Sequence, residues 1–319
     1  MTTLLACSGG GHLRQMWTLW PRFQLDDDPL WVTFDTGLSR SLLSEQPHVF
    51  APVAQPRDLV GTLRGSRLAA GIFREHQITR VISTGATPAV SIFPLARLRR
   101  IPCHYIESAA RSAGPSLSAR IVKTLPGVNL YTQYPTWAGG RWHYVGSVFD
   151  GYRVGERKAE APDQPQRVVV TLGTQENYGF RRLVERLIMV LPPTAEVLWQ
   201  TGATDVTGLD IAARDKVPAA ELEAAIAKAD LVVAHSGTGS ALTAFDAGKC
   251  PILVPRLARF GEHVDDHQLQ IAAELHQRGL ALNCPVDDLD ADVITDAMAR
   301  TVEIVSNPPR FPLYERGLR

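Results

Sequence analysis

Near the end of the chain, six residues able to ionise, ligate or hydrogen-bond crowd into seven positions: Glu262, His263, Asp265, Asp266, His267 and Gln268. A second concentration, His235-Ser236-Gly237-Thr238-Gly239-Ser240, lies one apolar run upstream, and a third, Ser8-Gly9-Gly10-Gly11-His12, sits at the start of the chain. The second and third follow short apolar runs (Leu231 to Ala234; Leu4 to Cys7) and precede helical patterns. A glycine turn between a strand and a helix lets backbone approach a ligand, and it presents free N–H groups and the positive end of a helix dipole to an anion. Phosphate is the natural occupant. Gly173-Thr174-Gln175, after the apolar run Arg167 to Leu172, repeats the design.

Two residues are candidates for moving a proton. His12 follows three glycines, where a neutral imidazole can accept one. Glu107 ends the run Cys103 to Ile106 and opens a loop, so it is read as the acid that orients and charge-stabilises His12, or as the base itself. His263, Asp265, Asp266 and His267 include metal-ligand types. Adjacent ligands rarely converge on one ion, so no metal is expected, and Asp266 and Gln268 are read as hydrogen-bond partners of a ligand. Asp26-Asp27-Asp28 before Pro29 is read as a solvated loop.

These groups need elements to hold them. In the first half, apolar runs at Thr3 to Cys7, Trp31 to Phe34, Arg80 to Ser83 and Cys103 to Ile106 predict buried strands, each followed by a turn signal. In the second half, Arg167 to Leu172, Val197 to Trp199, Leu231 to Ala234 and Pro251 to Pro255 do the same, and Leu222 to Ala229 reads as a helix. Alternation of strands with helices predicts an α/β fold of two Rossmann-like domains with parallel sheets, ligands lying beyond the carboxyl ends of the strands. The expected boundaries are 1–150, a polar linker at 151–166 with two prolines, 167–305, and a tail at 306–319 that cannot continue a helix past Pro308-Pro309 and is read as crossing back towards the first half.

At 319 residues, 45% hydrophobic and 21% charged, the chain has room for two domains of about 150 residues. Cys7, Cys103, Cys250 and Cys284 show no CxxC spacing, which argues against a zinc ribbon or disulfide framework and for a reducing cytosol. No apolar stretch approaches the roughly 20 residues of a spanning helix, and Leu4-Leu5-Ala6-Cys7 lacks the basic region of a lipoprotein signal. Net charge is zero but uneven: residues 1–150 hold 15 Lys+Arg against 9 Asp+Glu, and the remainder is acidic by the same margin. A basic half fits peripheral contact with an anionic membrane face or a phosphorylated acceptor. The basic residues are not interleaved with aromatics, so no nucleic-acid partner is expected.

Together the motifs resemble GT-B glycosyltransferases of the MurG type, and most closely a single-chain fusion of Alg14-like and Alg13-like halves. The resemblance rests on SGGGH at 8–12 and Tyr105-Ile106-Glu107-Ser108 in the first half. In the second it rests on Val170-Thr171-Leu172-Gly173-Thr174, HSGTGS at 235–240, Gly248-Lys249-Cys250-Pro251 and Asp266-His267-Gln268, and it covers nearly the whole chain. It implies two Rossmann-like domains facing an interdomain cleft, and an inverting, metal-independent transferase of the cell-envelope or exopolysaccharide type. The donor would be UDP-GlcNAc or another UDP-hexose or hexuronate, and the acceptor a polyprenyl-diphosphate-linked sugar or other glycan, at the cytoplasmic face of a membrane. Donor contacts are expected from Gly173, Thr174, Gln175, residues 235–240 and Glu262, His263, Asp266, His267 and Gln268. Ser8 to Gly11 fall on the acceptor side, with His12 and Glu107 catalytic. Thr243 stands where such chains carry an acid that holds the ribose. A GT-B epimerase and a nucleotide-sugar-binding subunit needing a partner are the alternative readings, separated by release of UDP and by activity of the chain alone.

Overall fold

Thr2–Ala6 (β1) is apolar without alternation from Leu4 on, because both faces are covered by helices and no side chain points to water. In the computed structural model, which describes residues 1–54, 58–160, 162–173 and 178–314, the chain forms two compact units.

The first unit comprises 1–150 and the segment from Pro308. After β1 come α1 (Gly11–Phe23), β2 (Asp28–Phe34), α2 (Gly37–Leu42), β3 (His48–Ala51), α3 (Leu59–Glu75), β4 (Ile78–Ser83), α4 (Ala86–Leu98), β5 (Cys103–Ile106), α5 (Leu117–Val122), β6 (Val128–Thr132) and β7 (Trp142–Tyr144). The sheet is parallel throughout, in the order β3-β2-β1-β4-β5-β6-β7. The winding direction reverses between β1 and β4, so the loops after these two strands border the crevice where open sheets bind ligands. Asp28 opens β2, and Asp27 accepts hydrogen bonds from Thr3 (3.3 Å) and Thr79 (2.6 Å); this acidic run borders the sheet.

The second unit, Gly151–Asn307, has the same winding. It contains β8 (Tyr152–Val154), β9 (Arg167–Thr171), α6 (Arg181–Val190), β10 (Glu196–Gln200), β11 (Ala213–Arg214), α7 (Ala219–Lys228), β12 (Leu231–His235), α8 (Thr238–Asp246), β13 (Ile252–Val254), α9 (His267–Gln277), β14 (Leu282–Asn283), α10 (Ala291–Ala299) and β15 (Val302–Ile304). Its parallel sheet runs β11-β10-β9-β12-β13-β14, with the reversal between β9 and β12. The stretch read as a linker opens instead with a strand: β8 pairs antiparallel with β15, Tyr152 opposite Ile304. Three residues cannot announce a strand by pattern; their partner lies at the other end of the unit.

The terminal segment packs on the first unit. Phe311 is fully buried with its ring 5.8 Å from that of Phe23 and 6.0 Å from that of Tyr131. The Arg22 guanidinium donates to the carbonyls of Pro309 (2.8 Å) and Ser147 (2.7 Å), which binds the two ends of the unit together.

Candidate functional site

Helix starts separate into two kinds. α2, α3, α5 and α10 begin under a side-chain cap from Thr36, Asp58, Ser116 and Asp290, which satisfies a first-turn N–H internally. α1, α4 and α8 have glycine at the cap position, Gly10, Gly85 and Gly237, with no capping side chain. α6, α7 and α9 also lack a side-chain cap but have Phe180, Pro218 and Asp266 there, so among the described residues only α1, α4 and α8 start on glycine. Each of the three follows a strand beside a reversal point, so their free N–H groups lie on the crevice edge.

In the first unit the loops after β1 and β4 are tied by a reciprocal pair: His12 Nδ1 to the Thr84 carbonyl at 2.7 Å, and Thr84 Oγ1 to the His12 carbonyl at 2.9 Å. A carbonyl only accepts, so Nδ1 carries the proton and Nε2 is the open basic nitrogen. Burial pushes the His12 pKa below its usual value, and the charge of Arg111 adds to this against the pull of the Thr84 carbonyl. The ring is therefore neutral near pH 7 and oriented to accept a proton. Gly85, at φ +112°, is required where it stands, because a Cβ there would come within 3.0 Å of the Tyr105 hydroxyl and 3.3 Å of His12 Cε1. Gly10, at φ +62°, turns the backbone into α1, and Gly9 lies against Thr36. Ser8 is buried and Gly11 is the first residue of α1.

Glu107 is not the partner of His12. Its buried carboxylate accepts from the backbone N–H groups of Ser116 (2.7 Å) and Ser108 (3.0 Å), with the Tyr105 hydroxyl at 3.5 Å. A buried carboxyl needs donors, and the nearest are the N–H groups of its own loop. Burial raises its pKa, and those two N–H groups oppose the rise. Glu107 thus closes the loop from 107 to 116. Gln15 pins the same loop to α1: its Oε1 accepts from Ala109 N (2.8 Å) and its Nε2 donates to Ser108 Oγ (3.0 Å). Neither Gln15 nor Arg111 was singled out from sequence, since neither carries a motif.

In the second unit the His235 ring is enclosed by the two glycine turns. A Cβ on Gly173, at φ +77°, would lie 2.7 Å from Cε1, and one on Gly237 2.3 Å from Nε2. Nδ1 lies 3.3 Å from the Thr171 carbonyl. Burial lowers the His235 pKa to about 3, and Arg256, His263 and His267 act in the same direction against the Thr171 carbonyl. His235 is a neutral spacer between turns, rather than a cation for phosphate. Ser236 and Thr238, beside it, are buried with hydroxyls that have no hydrogen-bond partner among the described residues. Gly239 and Ser240 complete the first turn of α8. Thr243 Oγ1 donates back to the Gly239 carbonyl at 3.0 Å. Thr174 and Gln175 lie outside the described residues.

The loop after β13 departs from expectation in two ways. Glu262 is internally occupied: its carboxylate meets Arg182 at 2.8 Å and accepts from Leu257 N at 3.0 Å, because a buried acid must be compensated. Gln268 is buried and accepts from Arg256 N at 3.0 Å, while Asp266 accepts from Ala258 N at 2.8 Å. Second, three ligand types do converge. His263, Asp265 and His267 bring one ligand atom each within 4.8 Å of one another, so the argument that adjacent ligands would point apart fails. The turn into α9 curls positions i, i+2 and i+4 onto one point. Burial drops the His263 pKa to about 4. Arg256 was also not singled out: its guanidinium is buried, donates to the Leu172 carbonyl at 2.6 Å, and has its pKa lowered to about 10 by burial.

Residues 167–303 match the glycosyltransferase family 28 C-terminal domain. A UDP-N-acetylglucosamine--N-acetylmuramyl-(pentapeptide) pyrophosphoryl-undecaprenol N-acetylglucosamine transferase of Ralstonia nicotianae is 31% identical over 147 residues, 42% of this chain and 39% of that protein, so the chain spans well under half of that relative's length. Among solved structures, MurG of Acinetobacter baumannii superposes with a TM-score of 0.56 at 19% identity, covering 92% of this chain and 88% of that one. The glycosyltransferase SnogD of Streptomyces nogalater gives 0.55 at 18%, covering 94% and 91%. No helix among the described residues is long and apolar enough to cross a membrane. Residues 167–303 thus match a family 28 glycosyltransferase C-terminal domain, in a chain with the two-domain GT-B fold that MurG of Acinetobacter baumannii also has.

Proposed function

We propose that the chain is an inverting glycosyltransferase that moves a sugar from a UDP-sugar, UDP-GlcNAc first among them, to a lipid-linked acceptor at a membrane surface. The observation that carries this reading is the pair of buried hydroxyls of Ser236 and Thr238, without a partner among the described residues, beside the uncapped start of α8. Orphaned buried hydroxyls cost about 1–3 kcal/mol each, and a diphosphate is the ligand whose oxygens would use both, together with the free N–H groups of Thr238 to Ser240. The Ralstonia relative is named for N-acetylglucosamine transfer to a pyrophosphoryl-undecaprenol acceptor, which supports both the donor and the class of acceptor.

On this reading the second unit holds the donor and the first the acceptor. An acceptor hydroxyl attacks the anomeric carbon, its proton passes to His12 Nε2, and the bond from that carbon to the phosphate oxygen breaks with its electron pair leaving on UDP. The α8 N-terminus takes up the developing charge, so no ion is required to bridge the diphosphate. Arg111, beside His12, supplies positive charge for an acceptor phosphate. The first unit's basic excess provides peripheral attraction to an anionic membrane face.

The test is a panel of nucleotides and UDP-sugars screened for thermal stabilisation of the purified chain. A ligand present at about 100 times its Kd adds roughly 2.7 kcal/mol to the native state. Stabilisation by UDP-sugars but not by dTDP-sugars or NAD is the expected pattern. Stabilisation by none of the uridine nucleotides would remove the donor assignment.

A further inference from the structure

We propose that His263, Asp265 and His267 form a site for one divalent metal ion of borderline softness, such as Zn²⁺ or Co²⁺, on the loop between β13 and α9. The site goes beyond the donor reading, which needs no ion at the diphosphate, and it stands whether or not that reading holds.

The ligand atoms of the three side chains lie within 4.8 Å of one another, and Asp265 Oδ1 sits between the two imidazoles, hydrogen-bonded to His267 Nδ1 and 3.6 Å from His263 Nδ1. A metal with bonds of about 2.0–2.2 Å places its ligands roughly 3–3.6 Å apart, so small side-chain rotations close the set. The rings are held in place: His263 is buried and stacked on Tyr178 at 5.4 Å, and the two imidazoles pack edge to face at 4.6 Å. A bound ion would replace the proton that His267 shares with Asp265, and that proton moves to the other ring nitrogen, so both imidazoles ligate as neutral groups.

Two imidazoles and one carboxylate favour zinc, cobalt or iron over magnesium, calcium or manganese, which prefer all-oxygen sets. Three protein ligands leave the remaining coordination positions open to water or a ligand oxygen. The opposing charges are the positive end of α9 and the buried guanidinium of Arg256, whose charge acts on His263. Asp265 and Asp266 supply negative charge in the same loop, Glu262 being neutralised by Arg182. This balance points to micromolar rather than structural-zinc affinity. The consequence of binding is a fixed loop from 263 to 267, which carries Asp266 and leads into Gln268.

The experiment uses the full, untagged chain stripped with EDTA and exchanged into chelator-free buffer. Zn²⁺ is titrated calorimetrically, and Co²⁺ serves as a spectroscopic stand-in whose visible bands report nitrogen and oxygen ligation. One ion per chain is expected, with affinity lowered at least about tenfold in both Asp265→Asn and His267→Ala, since changes even one shell further out cost about 10–100-fold. His48→Ala, in the first unit, should leave binding unchanged. Circular dichroism confirms that each variant is folded. Absence of one-to-one binding in the unsubstituted chain, or binding that survives both loop substitutions, overturns the proposal.

Discussion

Gly237→Ala separates what the glycine turn does for folding from what it does for binding. The backbone at Gly237 has φ −96°, which alanine adopts freely, so any effect comes from contact rather than strain. The new methyl would sit 2.3 Å from His235 Nε2 and 2.9 Å from Cε1, against an ordinary contact of 3.4–4 Å, so the ring must retreat by more than 1 Å. Its other side faces the Gly173 turn, and moving would break the 3.3 Å contact with the Thr171 carbonyl. Overpacking of this kind costs about 1–3 kcal/mol, and the lost hydrogen bond about another 1 kcal/mol. For a unit of this size a loss of 1 kcal/mol lowers Tm by roughly 2–4 °C, so calorimetry should show the second unit melting several degrees lower. UDP affinity should fall at least about tenfold, equivalent to about 1.4 kcal/mol, because displacing the His235 ring shifts the turn that leads into the free N–H groups of α8. His235→Ala combined with Gly237→Ala makes the two effects distinguishable. Removing the ring relieves the clash, so the double variant should be less destabilised than the two singles together by about 1–2 kcal/mol, while UDP binding stays weak. An unchanged Tm in Gly237→Ala would mean that His235 is not clamped between the turns. Unchanged UDP affinity would place the diphosphate elsewhere.

Three further outcomes are open to measurement. His12→Ala should lower kcat by about 10²–10⁴-fold with UDP affinity intact, whereas Glu107→Gln should loosen the loop it closes and cost about 1–3 kcal/mol of stability without moving the acid limb of the kcat/KM profile; a displaced limb in Glu107→Gln would restore the carboxylate to the mechanism. Burial pushes His104 down to about 3 and His263 to about 4, so each stays neutral in the folded chain while the unfolded chain takes up a proton below about 6.5. The stability they contribute is present above pH 6.5 and lost on acidification, about 2 kcal/mol by pH 5 for His104 and less for the more solvent-screened His263, and urea midpoints at pH 7 and 5 should show a shallower loss in His104→Phe; an equal loss would refute the assignment. Phe311→Ala, which empties a fully buried site between Phe23 and Tyr131, should destabilise the first unit by about 3–5 kcal/mol in urea titrations.

What the chain makes legible follows from how locally each feature is written. β1, β4, β5, β9, β12 and β13 are apolar runs closed by turn residues, and β1, β9 and β12 run directly into their glycine loops, so sequence alone reached them and the parallel sheets they imply. β11 and β14 are two residues each, and β8 and β15 three, so they exist only through partners distant in sequence. The same limit applies to the site. Glycine loops were readable because the backbone itself makes the contact. The role of Glu107 was not, because the N–H of Ser116 returns to it across a loop whose path no pattern specifies. His263, Asp265 and His267 were visible as ligand types, but their convergence depends on the turn into α9.

The pairing of β8 with β15 also bears on how the chain is made. Because the strands that enter and leave the second unit lie side by side, with Val305 N donating to the Gly151 carbonyl, that unit is topologically an insertion in the first. During vectorial synthesis the first 150 residues emerge early, yet the pocket between Phe23 and Tyr131 stays uncovered until Phe311 follows. At about 5–20 residues per second, the intervening unit takes roughly 8–30 s to synthesise. The first unit therefore spends that interval as an incomplete domain with an exposed aromatic surface, and chaperone dependence should track the length of the insertion rather than the stability of the finished protein.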